Sequence, residues 1–188
     1  MPSRIVVLAS GSGTTLQAVL DDAQLRPLVV AVGSDRYGTG ALDRAIAAGV
    51  DSFVVPFADY ADREQWDRAF EKELAERSPD LVVLAGFMRI FDATNVSRFR
   101  MINTHPALLP SFPGIGIRAV RAALAAGVKV SGATVHWVDE GVDSGAIIAQ
   151  VAVPVEVDDD EHTLFDRIRA AEKPLYVQAI RELTRETA

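Results

Sequence analysis

Ile5-Val6-Val7-Leu8-Ala9-Ser10-Gly11-Ser12-Gly13-Thr14-Thr15 places an apolar run directly before a glycine-rich turn and residues fit to begin a helix. The run shows no alternation, as expected of a strand covered on both faces. It is far shorter than a membrane span, and no secretory cleavage pattern follows it. Comparable runs rich in Val, Ile and Leu recur at 28–32, 51–55 and 81–85. Helical segments alternate with them at 14–25, 41–48 and 62–77, the last carrying Trp66, Phe70 and Leu74 on one face. Strand, helix, strand in repetition is the mark of parallel pairing through right-handed crossovers.

The second half changes character. Residues 101–105 read as a strand, 115–126 as a helix, and 132–138 and 146–155 as further strands. The turn at 139–145 is too short for a crossover, so these last strands pair antiparallel. Acidic residues at 158–161 open a final helix with Leu164, Ile168, Ala171 and Leu175 facing inward. Pro174 lacks an amide hydrogen and is expected to end or kink its first part near Lys173. The expected fold class is α/β: a doubly wound, mostly parallel but mixed sheet with helices on both faces. Its ligands should gather at the carboxyl ends of the strands.

The chain has 188 residues, enough for one domain with a substantial core and short for two. Hydrophobic residues make up 49% and charged residues 24%, a balance that supports folding. A formal charge of -7 disfavours non-specific attraction to nucleic acid or a membrane surface, so an anionic ligand requires a local positive site. With no cysteine, disulfides and thiolate zinc sites are excluded, which fits a reducing, cytoplasmic setting.

Chemistry has three candidate places. In the first, Ser10 to Thr15, glycines admit close approach of a ligand and the free amides of a helix start favour a phosphate. Leu16 stands where a dinucleotide fingerprint requires glycine, and no Gly-Lys-Ser/Thr follows. Anion binding and a plain tight turn both remain open here. The second is Asn103-Thr104-His105-Pro106-Ala107-Leu108-Leu109-Pro110-Ser111-Phe112-Pro113-Gly114. Alternation puts Asn103 and His105 on one side of a strand, where amide and imidazole could both donate to a carbonyl oxygen gaining negative charge. Pro106, Pro110 and Pro113 would stiffen the loop that follows. The third is Asp143, whose carboxylate could hold the imidazole protonated or serve as a solvated turn former. His136 shares a strand face with Thr134 and Val138, as a core residue or, with His105, a metal ligand lacking the usual close spacing. Arg169 and Glu172 have the spacing of a surface ion pair.

Taken together, these residues resemble the folate-dependent formyltransferases, whose signature Asn-x-His-Pro-x-Leu-Leu-Pro-x-[Phe/Tyr]-x-Gly is matched in full. The glycine-rich opening from Leu8 to Gln17 and Leu84-Ala85-Gly86-Phe87-Met88-Arg89-Ile90 are similar to the branch that formylates glycinamide ribonucleotide. The resemblance spans nearly the whole chain. It implies one formyltransferase domain, with a phosphate-binding half at 1–100 and a catalytic and folate-binding half at 101–188. By the same resemblance Asn103, His105 and Asp143 are the catalytic trio. Gly13, Thr14, Thr15, Arg169, Ala170, Ala171 and Glu172 bind the ribonucleotide, with Glu172 receiving its amino group. Arg63, Met88, Arg89, Ile90, Phe91, Asn103, Asp139, Glu140, Gly141, Val142 and Asp143 bind folate. The implied co-substrate is 10-formyltetrahydrofolate, with no metal, nucleic acid or membrane involved; a homodimer is compatible with the sequence.

Departures from relatives are Thr14-Thr15 in place of Ser-Asn, and Ile115-Gly116-Ile117-Arg118 where relatives often carry histidine. Two alternatives share the core. A formyltetrahydrofolate deformylase would admit water but usually adds an N-terminal domain; a methionyl-tRNA formyltransferase usually adds a C-terminal one, and residues after about 155 leave little room for it. A non-catalytic binder of the same fold is the remaining class.

Overall fold

The computed structural model describes residues 3–185. In chain order the elements are β1 (Ile5–Leu8), α1 (Thr14–Leu20), β2 (Val29–Ser34), α2 (Gly40–Ala48), β3 (Asp51–Val54), α3 (Arg63–Arg77), β4 (Leu81–Leu84), α4 (Ala93–Arg98), β5 (Met101–His105), α5 (Ile117–Ala125), β6 (Val130–Trp137), β7 (Ile147–Pro154) and α6 (Glu161–Arg185). The strands form a seven-stranded sheet in the order β3-β2-β1-β4-β5-β6-β7. β1 lies parallel to both β2 and β4, and β2 parallel to β3, while β6 and β7 run antiparallel. The chain therefore builds outward from β1 in one direction and then reverses to add β4 on its other side. That reversal is a topological switch point, and the glycine turn leaves β1 at its carboxyl end.

Contacts group the described residues into two compact units, one formed up to Ile102 and again from Ile180 on, the other from Asn103 to Ala179. In the first, every residue of β1 is fully buried, as its unbroken apolar run required. Trp66 and Phe70 of α3 are fully buried and lie against Phe87 and Phe91, with ring centroids 5.1–6.5 Å apart. The Trp66 indole N–H donates to the Val55 carbonyl at 2.9 Å, so the large ring is buried with its one polar atom satisfied. In the second unit Val120, Ala133, Val153, Leu164 and Ile168 form the core between α5, α6 and the β6–β7 pair.

Local chemistry moved some boundaries. Helix α1 ends at Leu20, well short of residue 25, because the Asp22 carboxylate accepts from the Gln24 and Leu25 amides at 3.0 Å each and starts a new turn. A short 3-10 turn at Arg26–Leu28 follows, so β2 begins at Val29. Helix α4 carries no strong apolar period; Asp92 defines it by capping the Asn95 amide at 2.9 Å. The largest departure is α6, which runs unbroken through Pro174. Pro174 is exposed, so the missing amide and the ring fall on the solvent side, where the loss is least. The buried stripe of α6 also rotates off the expected face: Leu164 and Ile168 lead on to Tyr176, Ala179 and Ile180, whereas Ala171 and Leu175 are half-buried. No helix among the described residues is long and apolar enough to cross a membrane.

Gly13 caps α1 at a φ of 71°, in the left-handed region, and a Cβ added there would sit 2.7 Å from the Ala41 Cα. Both conformation and space demand glycine. Gly13→Ala should therefore cost about 1–3 kcal/mol of stability, read as a lower denaturant midpoint at unchanged slope.

Candidate active site

Strand β5 ends at His105, and its alternation brings Asn103 to the same side. The His105 ring, 2% exposed, stands between two acceptors. Its Nδ1 is 3.2 Å from Asp143 Oδ2, and its Nε2 is 2.9 Å from the Phe112 carbonyl oxygen. A carboxylate and a carbonyl oxygen can only accept, so each ring nitrogen faces an acceptor and an N–H at either position finds a partner.

Asp143 comes from the 139–145 turn with a φ of 54°. That is the left-handed region, which Asp tolerates better than most residues and which the surrounding bonds must hold in place. Oδ2 accepts the Gly114 amide at 2.9 Å, and Oδ1 lies 3.6 Å from His136 Nε2. Burial raises the carboxyl pKa, but the hydrogen bonds from the His105 and His136 rings and the Gly114 amide outweigh it. The group is held well below the usual carboxylate range and stays ionised.

His136, which the sequence left open as a core residue or a metal ligand, is buried and also faces this cluster. It is 2% exposed; Nδ1 is 2.8 Å from the Trp137 carbonyl, and Nε2 lies 3.5 Å from Asn103 Nδ2 as well as facing Asp143. Its signal was the shared face with Thr134, but the β6–β7 register shifts between Val135 and His136. Such a shift re-aims the side chain that follows it and has no marker in the residue types. Among the described residues, no group of three or more His, Cys, Asp or Glu side chains is placed to hold a metal ion.

The loop after His105 is pinned from β6 and β7. The Thr134 hydroxyl donates to the Ala107 carbonyl at 2.7 Å and accepts from the Leu109 amide at 3.0 Å, while Gln150 Nε2 donates to the Leu109 carbonyl and to Thr134 Oγ1, both at 2.9 Å. These buried bonds fix where the Phe112 carbonyl and the Gly114 amide arrive. On α6, Glu172 is 7% exposed, which rules out a solvated surface pair with Arg169. Burial raises its carboxyl pKa, against the opposing pull of the Thr104 hydroxyl and the Arg169, Lys173 and His105 charges. The Arg169 guanidinium lies over the Phe165 ring at 5.4 Å.

The remaining expected site residues fall as follows. Gly13, Thr14 and Thr15 form the cap and first turn of α1. The turn before them is held from α2, where the Ala41 amide donates to the Gly11 carbonyl at 3.1 Å and Arg44 Nε to the Ser12 carbonyl at 2.9 Å. Met88 and Ile90 are exposed, but the Phe91 ring is buried against Trp66 and Phe87. The Arg89 side chain turns to Asp35, with Nε 2.9 Å from Oδ2. Arg63 pairs with Asp67 at 2.6 Å and covers the Trp66 ring at 5.3 Å. In the 139–145 turn, Asp139 Oδ1 accepts from the Gly141 amide at 3.1 Å and the Ser144 hydroxyl at 2.8 Å, making this acidic residue a turn former. Glu140, Gly141 and Val142 are exposed beside it.

The phosphoribosylglycinamide formyltransferase of Mycobacterium tuberculosis (strain H37Rv) is 51% identical over 186 residues, covering 97% of this chain and 85% of that protein. The trifunctional purine biosynthetic protein adenosine-3 of Drosophila melanogaster is 44% identical over 192 residues, which are 98% of this chain and 14% of the longer protein. The solved glycinamide ribonucleotide transformylase 1 from Symbiobacterium toebii matches with a TM-score of 0.93 and 45% identity, covering 98% of this chain and 89% of that one. A family profile described as formyl transferase matches residues 3–180, and the chain belongs to that family.

Proposed function

We propose that this chain transfers the formyl group of 10-formyltetrahydrofolate to the amine of glycinamide ribonucleotide, as a single formyltransferase domain serving de novo purine biosynthesis in the cytoplasm. The observation that carries the reading is His105 held between Asp143 and the Phe112 carbonyl beside Asn103, with Asp143 kept ionised. Acyl transfer needs donors aimed where negative charge develops, and an imidazole backed by a carboxylate with an amide beside it meets that need.

In this scheme the neutral glycinamide amine attacks the formyl carbon, forming the new C–N bond as the carbonyl π electrons move to oxygen. The His105 Nε2 proton, held on the Phe112 carbonyl in the resting site, turns to that oxygen, and the Asn103 amide donates to it as well. Asp143 stays ionised throughout and keeps His105 charged. The attacking amine loses a proton to water or to Glu172, whose raised carboxyl pKa suits it to accept one. Collapse then breaks the bond to folate N10, which leaves with a proton as tetrahydrofolate. The amides of Gly13, Thr14 and Thr15 would receive the phosphate and Arg169 to Glu172 the glycinamide part. Arg63, Met88 to Phe91 and Asp139 to Asp143 would line the folate side. No step requires a metal, and both partners are small molecules.

Incubation with both substrates tests the scheme: formylated glycinamide ribonucleotide is expected, whereas formate released in its place would indicate a deformylase. Asn103→Ala and His105→Ala should each lower kcat by about a hundredfold or more, with Asn103→Ala leaving the thermal midpoint nearly unchanged and His105→Ala lowering it because the Asp143 carboxylate loses a partner. Turnover equal to wild type in either variant would remove that residue from the scheme.

Glu172→Gln carries a second expectation. A carboxyl whose folded pKa is raised destabilises the protein once pH exceeds the unfolded value, fully above the folded value, and not at all below both. The Gln variant should therefore melt higher than wild type at pH 7, with the gain vanishing as pH falls toward about 4, while its turnover drops. Melting curves across that pH range, alongside rates, read both effects.

A further inference from the structure

Asp35 follows β2, and its carboxylate is fully buried although neither the sequence motifs nor the reaction scheme use it. It collects donors from separate loops at the strands' carboxyl ends. Arg36 reaches it from the next position, with Nη2 3.0 Å from Oδ2 and Nε 3.3 Å from Oδ1. Arg89 reaches it from the segment after β4, with Nε 2.9 Å from Oδ2. The Ser10 hydroxyl, at the start of the glycine turn, helps keep it ionised and accepts the Met88 amide at 2.8 Å. The Ser10 amide completes the join by donating to the Gly86 carbonyl at 3.2 Å.

A buried carboxylate left without partners would be costly, so this one is stable only while those donors stay in place. Burial raises its pKa, but the hydrogen bonds from Arg36, Ser10 and Arg89 outweigh this and keep it ionised. The Arg89 guanidinium is doubly restrained, since it also lies 4.5 Å over the Phe57 ring. Its side chain is thus turned inward, while its neighbours Met88 and Ile90 are 55% and 51% exposed.

We propose that Asp35 is a positioning residue for the folate side of the reaction: with Ser10 and Arg89 it clamps the 86–91 segment to the glycine turn, so that Arg89 serves folate through its main chain and its charge serves the clamp. This rests on the reading of Met88 to Phe91 as the folate-side segment. A direct role for Arg89, with its guanidinium meeting an anionic group of the ligand, makes the opposite prediction. Releasing it from Asp35 would then leave binding intact or strengthen it.

The test measures the Kd of tetrahydrofolate by titration calorimetry, and kcat and KM for formyl transfer, in wild type, Asp35→Asn, Arg89→Met, the double variant and Arg89→Lys. The clamp predicts that Asp35→Asn and Arg89→Met each weaken folate binding about tenfold with kcat at saturation changed less than about threefold. The double variant should be no worse than the weaker single, and Arg89→Lys, which keeps a cation for Asp35, should recover most of the affinity. Asp35→Asn binding folate as tightly as wild type or tighter overturns the proposal, as does full additivity in the double variant. Equal loss of ribonucleotide and folate affinity in step with a fallen thermal midpoint also overturns it, by marking a purely structural role. Wild type that binds tetrahydrofolate but forms no formylated product would defeat the proposed function alone, since the affinities still decide the clamp. Wild type that binds no folate would defeat both.

Discussion

The contact between His105 and Asp143 is the constraint around which the candidate site is built. A buried imidazole can rest on a carboxylate only while that carboxylate is itself satisfied, and the bonds reaching Asp143 keep it ionised despite its burial. Geometry adds a second condition. If Phe112 did not offer its carbonyl to Nε2, the ring would be held from the Asp143 side alone. The resting contacts therefore fix the orientation of the ring, with Nε2 placed to meet any stronger acceptor that replaces the Phe112 oxygen. Preorganisation of this kind is where enzymes gain most, because the donor need not be assembled as charge develops.

Holding Asp143 and Phe112 in place has its own cost. Both sit at positive φ, 54° and 56°, where a residue other than glycine is strained. The compensation lies in ordinary structure a few ångströms away. Thr134 and Gln150 satisfy the backbone of the loop after His105, and the Gly114 amide ties that loop to the Asp143 carboxylate. Strain in the site is thus supported by satisfied neighbours on β6 and β7, and the register shift at His136 accompanies a further imidazole facing the same carboxylate.

What the sequence made legible follows from what is locally encoded. β1 and β4 were readable because a wholly buried strand must be apolar throughout, and the antiparallel β6–β7 pair because a short turn permits nothing else. Asn103 and His105 were readable because alternation is obligatory in a strand. Asp143 was a candidate from its turn, as partner of the imidazole or solvated turn former, and only the resemblance chose between these, since nothing local separates it from Asp139 in the same turn, which proved to be a turn former. Helix ends were less legible: whether Asp22 continues α1 or caps the following turn is decided by amides beyond the helix and by Arg181, far along the chain. Pro174 misled for a similar reason, because its cost depends on which side of α6 faces solvent, and the stripe had been placed on Ala171 and Leu175 in place of Tyr176.

The same limit explains why charged residues were the hardest to assign from sequence. A guanidinium has one charge and several competing destinations, so the residue type at 89 or 63 gives no direction until a buried carboxylate claims it. Asp35 claims Arg89 and Asp67 claims Arg63, each carboxylate almost wholly buried and each arginine partly exposed. In both pairs the acid fixes the geometry and the base adapts to it, because the desolvated partner has the most to lose if the contact breaks. A sequence that is acidic overall can in this way set the orientation of its inward basic side chains, as Asp143 does for the His105 ring.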